Sequence, residues 1–146
     1  MAQIEVSGMT SYIHDLAFLG EIMPFTKPML RAQADVVELA LRKSILAEDL
    51  VETARLLGSI DRNERMTGKY GFAVIVGPSG VHHHYITDTS VGEIRSGHLG
   101  YVFEYGAPGK NIKARHWVLK AVNQCRDNAL DAAEAVFNDY LEQLHL

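Results

Sequence analysis

The longest amphipathic pattern in the sequence lies near its end, over residues 114–144. Apolar residues recur there at the three- and four-residue spacing of one helix face, and they do so for about eight turns. The stripe comprises Val118, Ala121, Val122, Cys125, Ala129, Ala132, Ala133, Val136, Phe137, Tyr140 and Leu144. Because such a face must be buried, the pattern predicts a long C-terminal helix packed on the rest of the chain.

Helical periodicity also marks the N-terminal third of the chain. Residues 11–19 predict a short first helix, and residues 27–47 predict a long one. Pro28 suits the first turn of that second helix, where its missing N–H has no intrahelical partner. Asp49 is positioned to cap a further short helix.

The apolar period becomes shorter in the middle of the chain. Residues 59–66 and 70–76 predict strands. Residues 79–98 are polar and glycine-rich, and they predict a long loop or an extended hairpin with an exposed tip. Residues 97–105 predict a further strand, which ends at a glycine-rich corner.

These elements predict an α+β fold in a single domain spanning residues 1–146. N-terminal helices and the long C-terminal helix would pack on a small antiparallel sheet with a long exposed loop. No apolar run approaches the roughly 20 residues of a membrane-spanning helix, and the N-terminus lacks the pattern of a secretory signal. The single cysteine, Cys125, is predicted to be a small buried hydrophobic residue.

Charge limits the partners that the chain can bind. It carries 14 Lys and Arg against 18 Asp and Glu, a net charge of −4. Proteins that hold nucleic acid tightly usually present a basic face that neutralises phosphates. We therefore expect no tight DNA binding, although DNA could pass through a channel in an assembly without being gripped.

The candidate chemical groups are few. His82, His83 and His84 could be metal ligands together with His98, but the run lacks supporting carboxylates at a telling spacing. An exposed polar segment is the alternative reading. The glycines at residues 77–80 are not followed by the Lys and Ser or Thr of a phosphate-binding loop. The sequence predicts no catalytic residue, no metal site and no cofactor.

Glu104 is flanked by two aromatic residues in the predicted strand at 97–105. One reading is an exposed strand carboxylate. The other is a salt bridge across the corner to Arg115 or Lys113, within the chain or in an adjacent subunit.

Charge is segregated along the predicted final helix. Basic residues surround its start, and acidic residues follow, in the order Lys110, Lys113, Arg115, Lys120, then Asp127, Asp131, Glu134, Asp139, Glu142. This order opposes the helix dipole. A head-to-tail ring would bring the basic end of one copy to the acidic flank of the next. Two ordinary solvated faces are the alternative.

Four short motifs, in order, resemble the tail-completion (head–tail joining, or neck) proteins of long-tailed bacteriophages, the group related to minor tail protein Z. They are Leu56-Leu-Gly-Ser-Ile60, Ala73-Val-Ile-Val-Gly77, Tyr101-Val-Phe-Glu-Tyr-Gly106 and Ala114-Arg-His-Trp117. The resemblance covers roughly residues 25–146. Two positions depart from the family pattern: His116 replaces a usual proline, and Ala107 replaces a usual threonine.

The resemblance implies a non-enzymatic virion protein that forms a ring, predicted to be hexameric, at the head-proximal end of the tail. Its implied partners are further copies of itself, tail-terminator or tail-tube proteins and head-completion proteins, with no membrane contact. The predicted interface residues are Glu104, Tyr105, Lys110, Lys113, Arg115, Trp117, His82, His83 and His84. The alternatives are a tail terminator or another connector ring, and, from a different class, a metal-dependent enzyme using the histidine run.

Overall fold

Four helices and two β-hairpins make up the part of the chain that the structure, a computed structural model, describes: residues 22–50, 53–67, 71–87 and 90–144. The predicted helix over residues 11–19 lies outside these residues. The elements in chain order are α1 (Ile22–Ala47), α2 (Thr53–Ser59), β1 (Ile60–Thr67), β2 (Gly71–Pro78), β3 (Val81–Thr87), β4 (Ser90–Arg95), α3 (Ser96–Tyr105), a 3-10 turn (Pro108–Lys110) and α4 (Trp117–Gln143). The predicted α+β class and long C-terminal helix are confirmed.

The two long helices, α1 and α4, pack against each other in antiparallel orientation. At one end the ring of Phe25 contacts Phe137 and Tyr140 edge-on, with centroid separations of 6.4 and 4.8 Å. At the other end the Ser44 hydroxyl donates a hydrogen bond of 2.7 Å to the Trp117 carbonyl. These contacts fix the pair along most of its length.

The buried face of α4 is built from small side chains in its central turns. Ala121, Cys125, Ala129 and Ala133 recur every four residues and are all buried. Small residues at this spacing allow the axis of a neighbouring helix to approach closely. The larger core side chains form one cluster near the start of α4. It consists of Leu41, Ile45, Leu50, Leu56, Ile60, Phe103 and Trp117.

The strands form two separate antiparallel pairs. β1 pairs with β2 from Ile60 opposite Pro78 to Thr67 opposite Gly71, which confirms the strands predicted at 59–66 and 70–76. β3 pairs with β4, beginning with Val81 opposite Arg95. The segment predicted as a loop or extended hairpin is therefore mostly a hairpin.

The prediction of a strand over residues 97–105 is wrong, because this segment belongs to helix α3. Its Tyr, Val and Phe residues favour strands locally. Burial nevertheless follows a helical spacing, since Ser96, Gly100, Phe103 and Glu104 are buried. Packing of this face overrides the local preference.

Two predicted helix boundaries are also wrong. α1 begins at Ile22, so Pro28 lies inside the helix and not in its first turn. The packing of Phe25 against α4 holds this early part of α1 in place, although Pro28 has no N–H to donate. Asp49 does not cap α2; it adopts a left-handed conformation (φ 43°) and its N–H bonds the Leu46 carbonyl at the end of α1.

Ion pairs attach α1 to the first hairpin. Arg42 donates hydrogen bonds to the carbonyls of Leu57 (2.8 Å) and Ile60 (2.9 Å), where α2 passes into β1. Glu38 accepts hydrogen bonds from Arg42 and Arg62, the latter at 2.7 Å. Hydrogen bonds from Arg62 and then Arg42 lower the pKa of Glu38 below its ordinary value of 4.5.

We predict that Glu38→Gln destabilises the protein at neutral pH and has a smaller effect in acid. Because the pKa of Glu38 is lower in the folded than in the unfolded chain, its contribution is complete above the ordinary value. That contribution is lost as the pH falls through the lowered folded value. Urea unfolding of both proteins at about pH 7 and about pH 3 measures this difference.

Glu134→Gln is the matched control, since Glu134 is an exposed carboxylate on α4. Equal unfolding midpoints for Glu38→Gln and the wild type at neutral pH would contradict the role of Glu38.

Candidate functional site

The segment that joins α3 to α4 forms a tight corner that requires a glycine at its first position. Gly106 adopts φ +80°, a conformation that side chains disfavour. A Cβ atom at this position would lie 2.8 Å from the Ala114 nitrogen and 2.9 Å from the Ile112 oxygen. The backbone therefore passes close to itself just after α3 ends.

Residues 107–112 close into a small backbone-bonded loop. The Ala107 N–H donates to the Ile112 carbonyl (2.9 Å), and the Ile112 N–H donates back to Ala107 (3.1 Å). Lys110 and Lys113, within and just after this loop, are exposed. Backbone hydrogen bonds within the loop therefore fix the segment that presents these basic residues at the surface.

The carbonyl groups at the end of α3 accept hydrogen bonds from the chain that leads into α4. The Arg115 N–H donates to the Phe103 carbonyl (2.8 Å), and the His116 N–H donates to the Glu104 carbonyl (3.2 Å). Groups that a helix end leaves unpaired are thereby satisfied.

The Glu104 side chain caps α4 from outside that helix. Its carboxylate accepts hydrogen bonds from the Val118 N–H (2.7 Å) and the Leu119 N–H (3.3 Å), in the first turn. The residue preceding the helix, His116, adopts φ 53° and provides no side-chain cap. Glu104 therefore places a negative charge at the positive end of the helix dipole.

The structure replaces the exposed strand carboxylate and the salt bridge within the chain, while a bridge to an adjacent subunit stays a prediction. Glu104 is buried and lies on a helix, so it is not an exposed strand carboxylate. Its carboxylate bonds backbone N–H groups, and among the described residues only His116 brings a basic side chain within 4.0 Å of it. Arg115 instead joins the corner through its backbone, and its side chain is exposed.

Trp117 lies in the core directly beneath the corner. Its side chain is 1% exposed, and its indole N–H donates to the Gly100 carbonyl of α3 (3.0 Å). A Cβ atom on Gly100 would lie 2.9 Å from Pro78 Cγ and 3.3 Å from Trp117 Cζ2. The glycine at position 100 therefore lets α3 approach both the first hairpin and α4.

The outer side of α3 presents an aromatic pair. Tyr101 and Tyr105 are 60% and 62% exposed, and their ring centroids lie 4.7 Å apart. His98, one turn earlier on the helix, is also exposed. We call His98, Tyr101 and Tyr105 the α3 face. Tyr101 was missed as a site residue because a helix, unlike the predicted strand, places it beside Tyr105 four positions later.

The predicted interface residues fall into three groups. Tyr105, Lys110, Lys113 and Arg115 are exposed at the corner, and their interface role stays a prediction. Glu104 and Trp117 are buried within the chain and have internal roles. The three histidines occupy strand β3 opposite Ile94, Glu93 and Gly92, but their side chains lie outside the described part of the structure.

Cys125, possible metal-binding groups and membrane-spanning helices were the remaining candidate features. Cys125 is buried and unpaired at the edge of a shallow depression of about 240 Å³ between α1 and α4, as expected for a small hydrophobic residue. Among the described residues, no group of three or more His, Cys, Asp or Glu could hold a metal ion. None of the described helices combines the length and apolar character needed to cross a membrane.

No protein-family model, curated protein or solved structure matches the chain.

We predict that Glu104→Ala lowers the free energy of unfolding by about 2 kcal/mol, because two N–H groups in the first turn of α4 lose their acceptor. Glu104→Gln retains one acceptor oxygen and should cost less. Arg115→Ala should change stability by less than about 0.5 kcal/mol, because only its backbone contributes to the corner. Chemical denaturation of the three variants measures these values.

A double-mutant cycle between Glu104→Gln and Arg115→Ala should show additive effects. Strong coupling would mean that the two side chains interact after all.

Proposed function

We propose that the protein is a structural component of a long-tailed bacteriophage virion, where it forms a ring at the head-proximal end of the tail and joins tail to head. The phage assignment is supported by the four ordered motifs. The ring is supported by an exposed aromatic and basic surface on a firmly bonded corner.

The motif residues meet in one region of the fold, which supports treating them as one pattern. Leu56 and Ile60, from the first motif, belong to the same core cluster as Phe103 and Trp117, from the third and fourth. The position of a Cβ on Gly100 is 3.8 Å from Leu56 Cδ1. The motifs therefore specify the corner and the core beneath it.

The departure at His116 has a physical explanation. Proline is restricted to φ near −65° and has no N–H. His116 adopts φ 53° and donates its N–H to the Glu104 carbonyl. The start of α4 in this chain is therefore built differently from one that begins with the family's usual proline.

The observation that carries the ring proposal is the pair Tyr101 and Tyr105. Tyrosine is frequent at the energetic centres of protein interfaces, since it combines a large rigid ring with a polar end. Two such rings, more than half exposed and adjacent on one helix, fit a surface that contacts another protein. Lys113 and Arg115, exposed on the segment that follows α3 and bonded to its end through the Arg115 N–H, add charged groups that can orient a partner.

Virions of the phage that encodes this chain provide the test. We predict that mass spectrometry detects the chain in purified particles, and that electron cryomicroscopy places six symmetric copies at the joint between head and tail. Particles made without it should accumulate as separate heads and tails. Absence of the chain from particles would contradict the proposal, and a position at the end of the tail tube alone would indicate a tail terminator.

A further inference from the structure

The α3 face has the features of a docking surface without a partner inside the chain. Tyr101 and Tyr105 contact each other and remain more than half exposed. Their helix is held from the opposite side by Gly100, Phe103 and Glu104. The rings are therefore presented outward from a backbone whose position is fixed by the core, which lowers the entropic cost of binding.

Basic residues follow the α3 face directly along the chain. Residues 106–120 contain four Lys or Arg and no Asp or Glu. Lys120 pairs at 2.5 Å with Glu48, in the turn that follows α1. Lys110, Lys113 and Arg115 are exposed, and no acidic partner for them is recorded within the described residues. We call these three residues the basic loop.

The complementary negative charge lies on α4, the helix that follows the basic loop. Asp127, Asp131 and Glu134 are exposed at spacings of four and three residues, so they share one side of α4. The buried Ala121, Cys125, Ala129 and Ala133 define the other side. We call the three acidic residues the α4 stripe.

Within one chain the two surfaces are not joined: among the described residues, no ion pair links the basic loop to the α4 stripe. Asp127, the stripe residue nearest the start of α4, lies about 15 Å along the helix from Trp117, at roughly 1.5 Å per residue. A second copy can present its α4 stripe to the basic loop of the first.

We propose that the α3 face and basic loop of one copy dock against the α4 stripe of a second copy. The contact uses two different surfaces, so it is head-to-tail and repeats from copy to copy, and it gives a ring when the rotation between copies closes. The Tyr rings would cover apolar parts of the neighbouring helix, and the opposite charges would set its orientation. This inference deepens the proposed ring, on which it rests.

Sedimentation of the purified full chain tests the contact outside the particle. In low salt, we expect association at concentrations up to about 1 mM, the range of a weak protein contact. Salt near 0.5 M should weaken it, because exposed charges are screened. A wild-type chain that stays monomeric throughout this range would overturn the inference, while the virion experiment above would still decide the ring.

Substitutions then identify the surfaces. Tyr101→Ala with Tyr105→Ala should weaken association at least about tenfold. Leu39→Ala with Leu46→Ala is the matched control, since it removes two apolar side chains of similar exposure from α1, and it should leave association unchanged. Association that survives the tyrosine pair but not the control would place the contact elsewhere and overturn this inference, and electron cryomicroscopy of virions would still decide whether a ring forms.

Charge reversal tests the pairing of the two surfaces. Lys113→Glu with Arg115→Glu should prevent association, as should Asp127→Lys with Asp131→Lys. Mixing these two proteins should restore it, because each supplies the charge that the other lacks. Failure of the mixture to associate would overturn the pairing.

Nucleic acid is the competing occupant of a basic and aromatic surface. Fluorescence anisotropy with a labelled 20-nucleotide single strand provides the comparison. Binding that is tighter than self-association, and that is lost in the variant Lys113→Glu with Arg115→Glu, would overturn the inference.

Discussion

Glu104 lies inside the protein with its carboxylate against the first turn of α4. A buried carboxylate is costly unless hydrogen bonds and opposite charge compensate for lost hydration. Two backbone N–H groups and the positive end of the helix dipole supply that compensation. The same contact gives α4 the cap that His116 does not provide, and it ties the end of α3 to the start of the longest helix.

The positions of the other groups at the corner follow from this contact. With Glu104 turned inward, residues four positions away on α3 also face the core, and Gly100 meets Trp117 there. Tyr101 and Tyr105 lie on the outer side as a consequence. The core contact and the proposed docking surface are therefore two sides of one ten-residue helix, and a change in the first would displace the second.

The sequence predicted the C-terminal helix from a long and regular apolar period. It predicted the first two strands from weaker signals, a weak alternation over residues 59–66 and strand-forming residues over 70–76. It failed at residues 97–105, because nine residues with two glycines and three aromatic residues carry no clear period. The element type depended on burial against Pro78 and Trp117, which are distant in sequence. Glu104 could be singled out from its motif. The backbone N–H groups that donate to its carboxylate, those of Val118 and Leu119, could not be identified until the segment was known to be a helix.

Hydrogen exchange at the amides of Val118 and Leu119, followed by NMR, tests most directly whether Glu104 organises the corner. First-turn amides of a helix normally exchange rapidly, because they have no intrahelical acceptor. We predict that both amides exchange slowly in the wild type, and that Glu104→Ala speeds their exchange far more than that of the Cys125 amide in the interior of α4. Rapid exchange of both amides in the wild-type protein would contradict the account.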